Sequence, residues 1–106
     1  MTEWVFLAAA ILSEVTATLS LKRALDHPAL YAVVAAGYIA AFVLLTLTLK
    51  QGMGIGVAYG IWAACGVALA AIGSKVFFSE PLTQVMMMGI ALIIAGVLLV
   101  ELGASH

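Results

Sequence analysis

Five acidic residues and four Lys or Arg are the whole ionic complement of this 106-residue chain, and one of the five sits where a charge is hardest to keep. Glu14 lies inside an apolar stretch running from Trp4 to Leu21, about 15 Å along a helix at 1.5 Å per residue. A carboxylate at mid-bilayer costs at least about 2.5–3.5 kcal/mol, so it persists when protonated, paired, or facing a wet cavity. No Lys or Arg stands at matching depth in another apolar stretch, which leaves a proton or a diffusible cation to neutralise it. Desolvation favours a protonated carboxyl and a nearby cation favours the ionised form, so one group can hold either, each excluding the other. That is the chemistry of proton-coupled cation antiport. The plain structural alternative is a permanently protonated Glu14 that bonds across helices, with Ser13, Thr16, Thr18 and Ser20 as polar glue.

Rings are the next residues with chemistry to offer, since an aromatic face attracts a cation by about 0.5–2 kcal/mol. Tyr59 and Trp62 stand at i, i+3 in one apolar stretch, and Tyr38 and Phe42 at i, i+4 in another, away from the ends where interfacial belts would explain them. Packing alone is the competing reading, with even weight for Phe42. A buried Tyr59 hydroxyl needs a partner, and a carboxylate would serve. Thr18, at i+4 from Glu14, shares its face. Trp4 and Tyr31 read as interface anchors, Met86 to Met88 as soft packing, and Glu101 and His106 as solvated groups at the water boundary. Ala58, Gly60, Ala63, Ala64 and Gly66 surround the Tyr59/Trp62 pair and allow close backbone approach or flexing. Gly89, Leu92, Ile93 and Gly96 fall on one stripe and read as a packing surface between subunits.

These residues need a membrane to give them meaning. The chain is 66% hydrophobic and 8% charged, with a mean hydropathy of +1.26, against roughly 45–50% apolar and about 25% charged in soluble domains. A water-soluble fold is excluded. Four apolar stretches emerge, 4–21, 29–49, 55–74 and 82–102, parted by short breaks that hold Lys22-Arg23, Lys50-Gln51-Gly52 and Ser79-Glu80-Pro81. Each is apolar on all faces, unlike the alternating segments of about 10 residues in a membrane β-barrel. The expectation is a single four-helix all-α transmembrane domain over 1–106, its first span retained and not a signal peptide, because Glu3 precedes it and Glu14 interrupts it. A net charge of -1 leaves no basic surface for nucleic acid, and a lone Cys65 leaves neither an intrachain disulfide nor a zinc cluster. Lys22, Arg23 and Lys75 face one side against Lys50 on the other, a bias small enough for insertion both ways round. The chain is too short to hold an inverted repeat of its own, so a transporter built from it needs a second copy.

Taken together, these residues resemble the small multidrug resistance family of bacterial proton-coupled exporters. The resemblance is carried by Ala10-Ile11-Leu12-Ser13-Glu14-Val15 with Thr18 and Lys22, Tyr38-Ile39-Ala40-Ala41-Phe42, Ala58-Tyr59-Gly60-Ile61-Trp62, and Gly89 through Gly96-Val97. It implies a multi-pass protein of the bacterial cytoplasmic (inner) membrane, a secondary transporter and not an enzyme, without cofactor or metal. It also implies an antiparallel, dual-topology homodimer, or a heterodimer with a paralogue, held by the Gly89 to Gly96 stripe. In that dimer Glu14 would be the proton and substrate site, Tyr59 would hydrogen-bond it, and Trp62, Tyr38 and Phe42 would line a shared chamber. Ala10, Ile11 and Thr18 would flank the carboxylate. The run Ala63-Ala64-Cys65-Gly66 departs from the family's Gly-x-Gly, and the first loop lacks its Gly-Phe-Thr segment. Guanidinium exporters of the family carry tryptophan three residues after the glutamate; here Ala17 leaves room for a bulky cation, so hydrophobic and quaternary ammonium ions are the expected cargo. Phe77-Phe78-Ser79-Glu80-Pro81 is similar to the guanidinium branch, so guanidinium export stays an alternative, as does an accessory subunit of a heteromeric transporter.

Overall fold

A computed structural model describes residues 2–103; His106 lies outside them. It contains four helices, α1 (Thr2–Ala24), α2 (Tyr31–Lys50), α3 (Ile55–Phe78) and α4 (Gln84–Gly103), with a 3-10 turn at Pro28–Leu30 ahead of α2. All four are long and apolar enough to cross a membrane. The physical reason is that hydrocarbon offers no partner to a backbone N–H or C=O, so a spanning segment must satisfy every one internally.

Local chemistry sets the helix ends. Lys22 and Arg23 occupy the last turn of α1, where positive charge meets the exposed carbonyls. Pro28 opens the 3-10 turn at a position whose N–H would be unpaired anyway, and the Leu30 N–H donates to the His27 carbonyl at 2.9 Å. Gly52, at φ 105, makes the turn between α2 and α3; a side chain there would be strained. Hydropathy places the end of the third span at Ser74, but α3 runs on through Lys75, Val76, Phe77 and Phe78. Lys75 is a favourable last-turn cation, so its charge does not mark a break. The helix stops at Ser79, which is left-handed (φ 55) and donates its N–H to the Lys75 carbonyl at 3.1 Å. Helix α4 begins at Gln84, two residues later than hydropathy indicates, because Thr83 caps it: its Oγ1 accepts the Met86 N–H at 3.1 Å.

The described residues fall into two compact units that part between Met53 and Gly54. In the first, α1 and α2 form an antiparallel hairpin. Helix α1 buries Leu7, Ala10, Ile11, Val15, Ala17 and Ala24, and α2 buries Val34, Ala41, Leu45 and Thr48. The two backbones come close at Gly37: a Cβ built there would stand 2.8 Å from the Ala17 Cβ and 3.2 Å from the Ser13 carbonyl oxygen. In the second unit, α3 buries Ala58, Ile61, Trp62, Gly66, Ala68 and Gly73, whereas α4 has no buried residue.

Candidate functional site

Glu14 is half-buried on α1, one helical turn before Thr18, so the two side chains meet on one face. The Thr18 hydroxyl donates to Glu14 Oε1 at 2.9 Å. The same hydroxyl oxygen lies 2.7 Å from the Tyr38 hydroxyl of α2. Thr18 has one proton to give; with that proton on the carboxylate, Tyr38 is the donor to Thr18. The outcome is a directional chain, Tyr38 to Thr18 to Glu14, that spans the two helices of the hairpin. The second carboxylate oxygen, Oε2, is buried and has no hydrogen-bond partner among the described residues.

Other hydroxyls of the spans behave differently. Thr16 donates to the Leu12 carbonyl, Thr46 to Phe42, Thr48 to Leu44 and Ser74 to Ala71, all at 2.8–2.9 Å and all within their own helix. This back-bonding is the ordinary fate of a hydroxyl in an apolar helix. Thr18 alone of these five reaches a side chain and, through it, a neighbouring helix.

Of the residues expected around the carboxylate, Ala10 and Ile11 are buried on α1, while Phe42 on α2 is 56% exposed. On α3, Tyr59 is 57% exposed, Trp62 is buried, and their rings meet edge to face with centroids 5.6 Å apart. Trp4 and Tyr31 are exposed near helix starts, and Glu101 is half-buried. Ala17 is fully buried at the crossing with Gly37. Its smallness therefore serves the α1–α2 contact. Gly37 itself is not singled out by the sequence pattern, since which small residues face a neighbouring helix depends on the register of the pair. An open groove of about 480 Å³ runs along the same seam, lined by Leu12, Ser13, Thr16, Val33, Ala36 and Gly37. Leu12 and Thr16 lie roughly 160° around α1 from Glu14 at about 100° per residue, so the groove is on the opposite side of the helix from the carboxylate.

A sequence profile described as Small Multidrug Resistance protein matches residues 2–93. The chain is 37% identical over 105 residues to a multidrug resistance protein of Mycolicibacterium paratuberculosis, covering 97% of this chain and 98% of the relative. It is 38% identical over 104 residues to a multidrug transporter of Pseudomonas aeruginosa, covering 96% and 94%. The quaternary ammonium compound-resistance protein QacF of Klebsiella aerogenes is likewise 38% identical over 104 residues, with 96% and 94% covered.

Proposed function

This chain belongs to the small multidrug resistance family of multi-pass inner-membrane transporters, and from that premise we propose that it exports hydrophobic and quaternary ammonium cations in exchange for protons. The proton and the cation compete for Glu14. The observation that carries this reading is the Oε2 oxygen of Glu14, buried without a hydrogen-bond partner among the described residues on a carboxylate midway along a span. An oxygen so placed binds whichever positive species reaches it, because leaving a buried polar atom unpaired is costly. Thr18, itself bonded to Tyr38, holds the other oxygen, Ala10 and Ile11 give the carboxylate an apolar flank, and Phe42 offers a ring face to cations; Tyr59 and Trp62 of α3 are rings of the same cation-attracting kind. QacF, a relative named for resistance to quaternary ammonium compounds, supports that class of cargo.

The working unit in this reading is an antiparallel homodimer. Helix α4 is the most apolar of the four spans yet has no buried residue, and an added Cβ at Gly89 or Gly96 would meet, among the described residues, nothing within 4 Å beyond its own helix. The room those glycines leave, beside Leu92 and Ile93, suits close approach of a second copy. Binding of tetraphenylphosphonium between about pH 5 and 9 tests the competition: it weakens as pH falls and Glu14 takes up a proton. Binding unchanged in Glu14→Gln would overturn it. Proteoliposomes that move guanidinium in preference to bulky aromatic cations would place the chain in the guanidinium branch instead.

A further inference from the structure

We infer that Gly37 and Ala17 are positioning residues for the Glu14 site, setting the helix separation at which the Tyr38–Thr18–Glu14 hydrogen-bond chain closes. The crossing and the chain are adjacent: Ala17 precedes Thr18 on α1 and Gly37 precedes Tyr38 on α2. At the crossing, Ala17 is fully buried, and a methyl on residue 37 would sit 2.8 Å from its Cβ and 3.2 Å from the Ser13 carbonyl oxygen. Contacts that short force the helices apart. One residue further along each helix, the hydroxyl pair has no such slack, because at 2.7 Å it is already at ordinary O–H···O length.

The chain matters because it uses one carboxylate oxygen and spares the other. Tyr38 donates to Thr18, and Thr18 donates to Oε1 at 2.9 Å. A Thr18 hydroxyl no longer satisfied by Tyr38 is free to turn back to its own helix, as Thr16, Thr46 and Thr48 do. Glu14 would then lose the bond that fixes its rotamer and leaves Oε2 as the open position. Hydrogen bonds between membrane helices are modest in strength, so loss of the chain weakens cation binding by about three- to tenfold and does not abolish it. The inference rests on the proposed role of Glu14, but its geometry is measurable without that role.

The experiment uses the full-length protein in detergent or bilayers, with two readouts. Tetraphenylphosphonium affinity reports function, and the NMR shift of the Tyr38 ring carbon bearing the hydroxyl reports the hydrogen bond. Gly37→Ala, Thr18→Val and Tyr38→Phe each weaken binding by about three- to tenfold. Tyr38→Phe adds nothing in a Gly37→Ala background, as expected for residues that act through one chain. Thr18→Ser keeps the hydroxyl and retains affinity, and Ala17→Gly combined with Gly37→Ala removes the 2.8 Å contact, leaves only the 3.2 Å approach to the Ser13 carbonyl, and recovers most of the affinity and of the Tyr38 shift. Additive losses, or a Tyr38 shift unmoved by Gly37→Ala and Thr18→Val, would overturn the inference. Should Gly37→Ala not fold, the Thr18→Val and Tyr38→Phe pair and the Ala17→Gly/Gly37→Ala rescue decide alone. Affinity indifferent to Glu14→Gln, with the Tyr38 shift still tracking Thr18 and Gly37, would remove the proposed function and keep the positioning geometry.

Discussion

The α1–α2 hairpin and helix α4 are both built from apolar, membrane-spanning material and put it to opposite uses. In the hairpin, small residues let two backbones meet at Ala17 and Gly37, and polar side chains are spent on each other in the chain from Tyr38 to Glu14. Helix α4 has glycines too, but Gly89 and Gly96 face open space, and none of its residues is buried. A glycine required by a contact inside the chain and a glycine that leaves room outside it look alike in sequence. The difference lies in what a Cβ would meet. The hairpin thus holds the polar chain, and α4 the uncovered apolar surface.

Glu14→Gln should have the largest effect and sharpen the contrast most. It removes the charge without changing the size of the side chain, so proton-driven transport in proteoliposomes falls to background while cross-linking between α4 helices is unaffected. Gly96→Leu is the converse test. Among the described residues, no other part of the chain stands within 4 Å of an added Cβ there beyond the helix's own backbone, so the fold is kept, but dimer dissociation measured in detergent rises by at least about tenfold, some 1.4 kcal/mol. A dimer indifferent to Gly96→Leu would show that lipid, not a second copy, covers α4. Thr18→Val acts more gently, costing about 0.6–1.4 kcal/mol of cation affinity by titration, the same three- to tenfold, as suits a hydrogen bond between membrane helices.

The smallest effect lies outside both regions. Ser79 ends α3 in the left-handed conformation, which costs a side-chain-bearing residue about 1–2 kcal/mol. Ser79→Gly should therefore raise thermal stability by about 1 kcal/mol or less with transport unchanged.

Much of this architecture is legible in the residues alone. Four spans follow from hydropathy, and Glu14 stands out because it is charged at a depth where charge is expensive. Its partner Thr18 is also readable, since i and i+4 share a helix face whatever the fold. What the sequence does not reveal depends on how two helices are set against each other. Tyr38 is visible as a ring, but its bond to Thr18 depends on the register of α2 against α1, and Gly37 carries no signal until Ala17 is found opposite it. Ala17 shows the hazard from the other side: its small size suggests space for a cation, whereas that space is filled by α2. The end of α3 and the start of α4 are hidden for a local reason, because Lys75 extends a helix that charge counting ends, and Thr83 caps one that hydropathy starts early.

Competition at Glu14 is tested most directly by counting the protons released when a cation binds. In weakly buffered solution, adding tetraphenylphosphonium to the purified wild-type protein over a series of pH values should acidify the medium at one or more of them, and the same additions to Glu14→Gln should not. Cation binding by the wild-type protein with no proton release at any pH between about 5 and 9 would contradict the exchange of one for the other at this carboxylate.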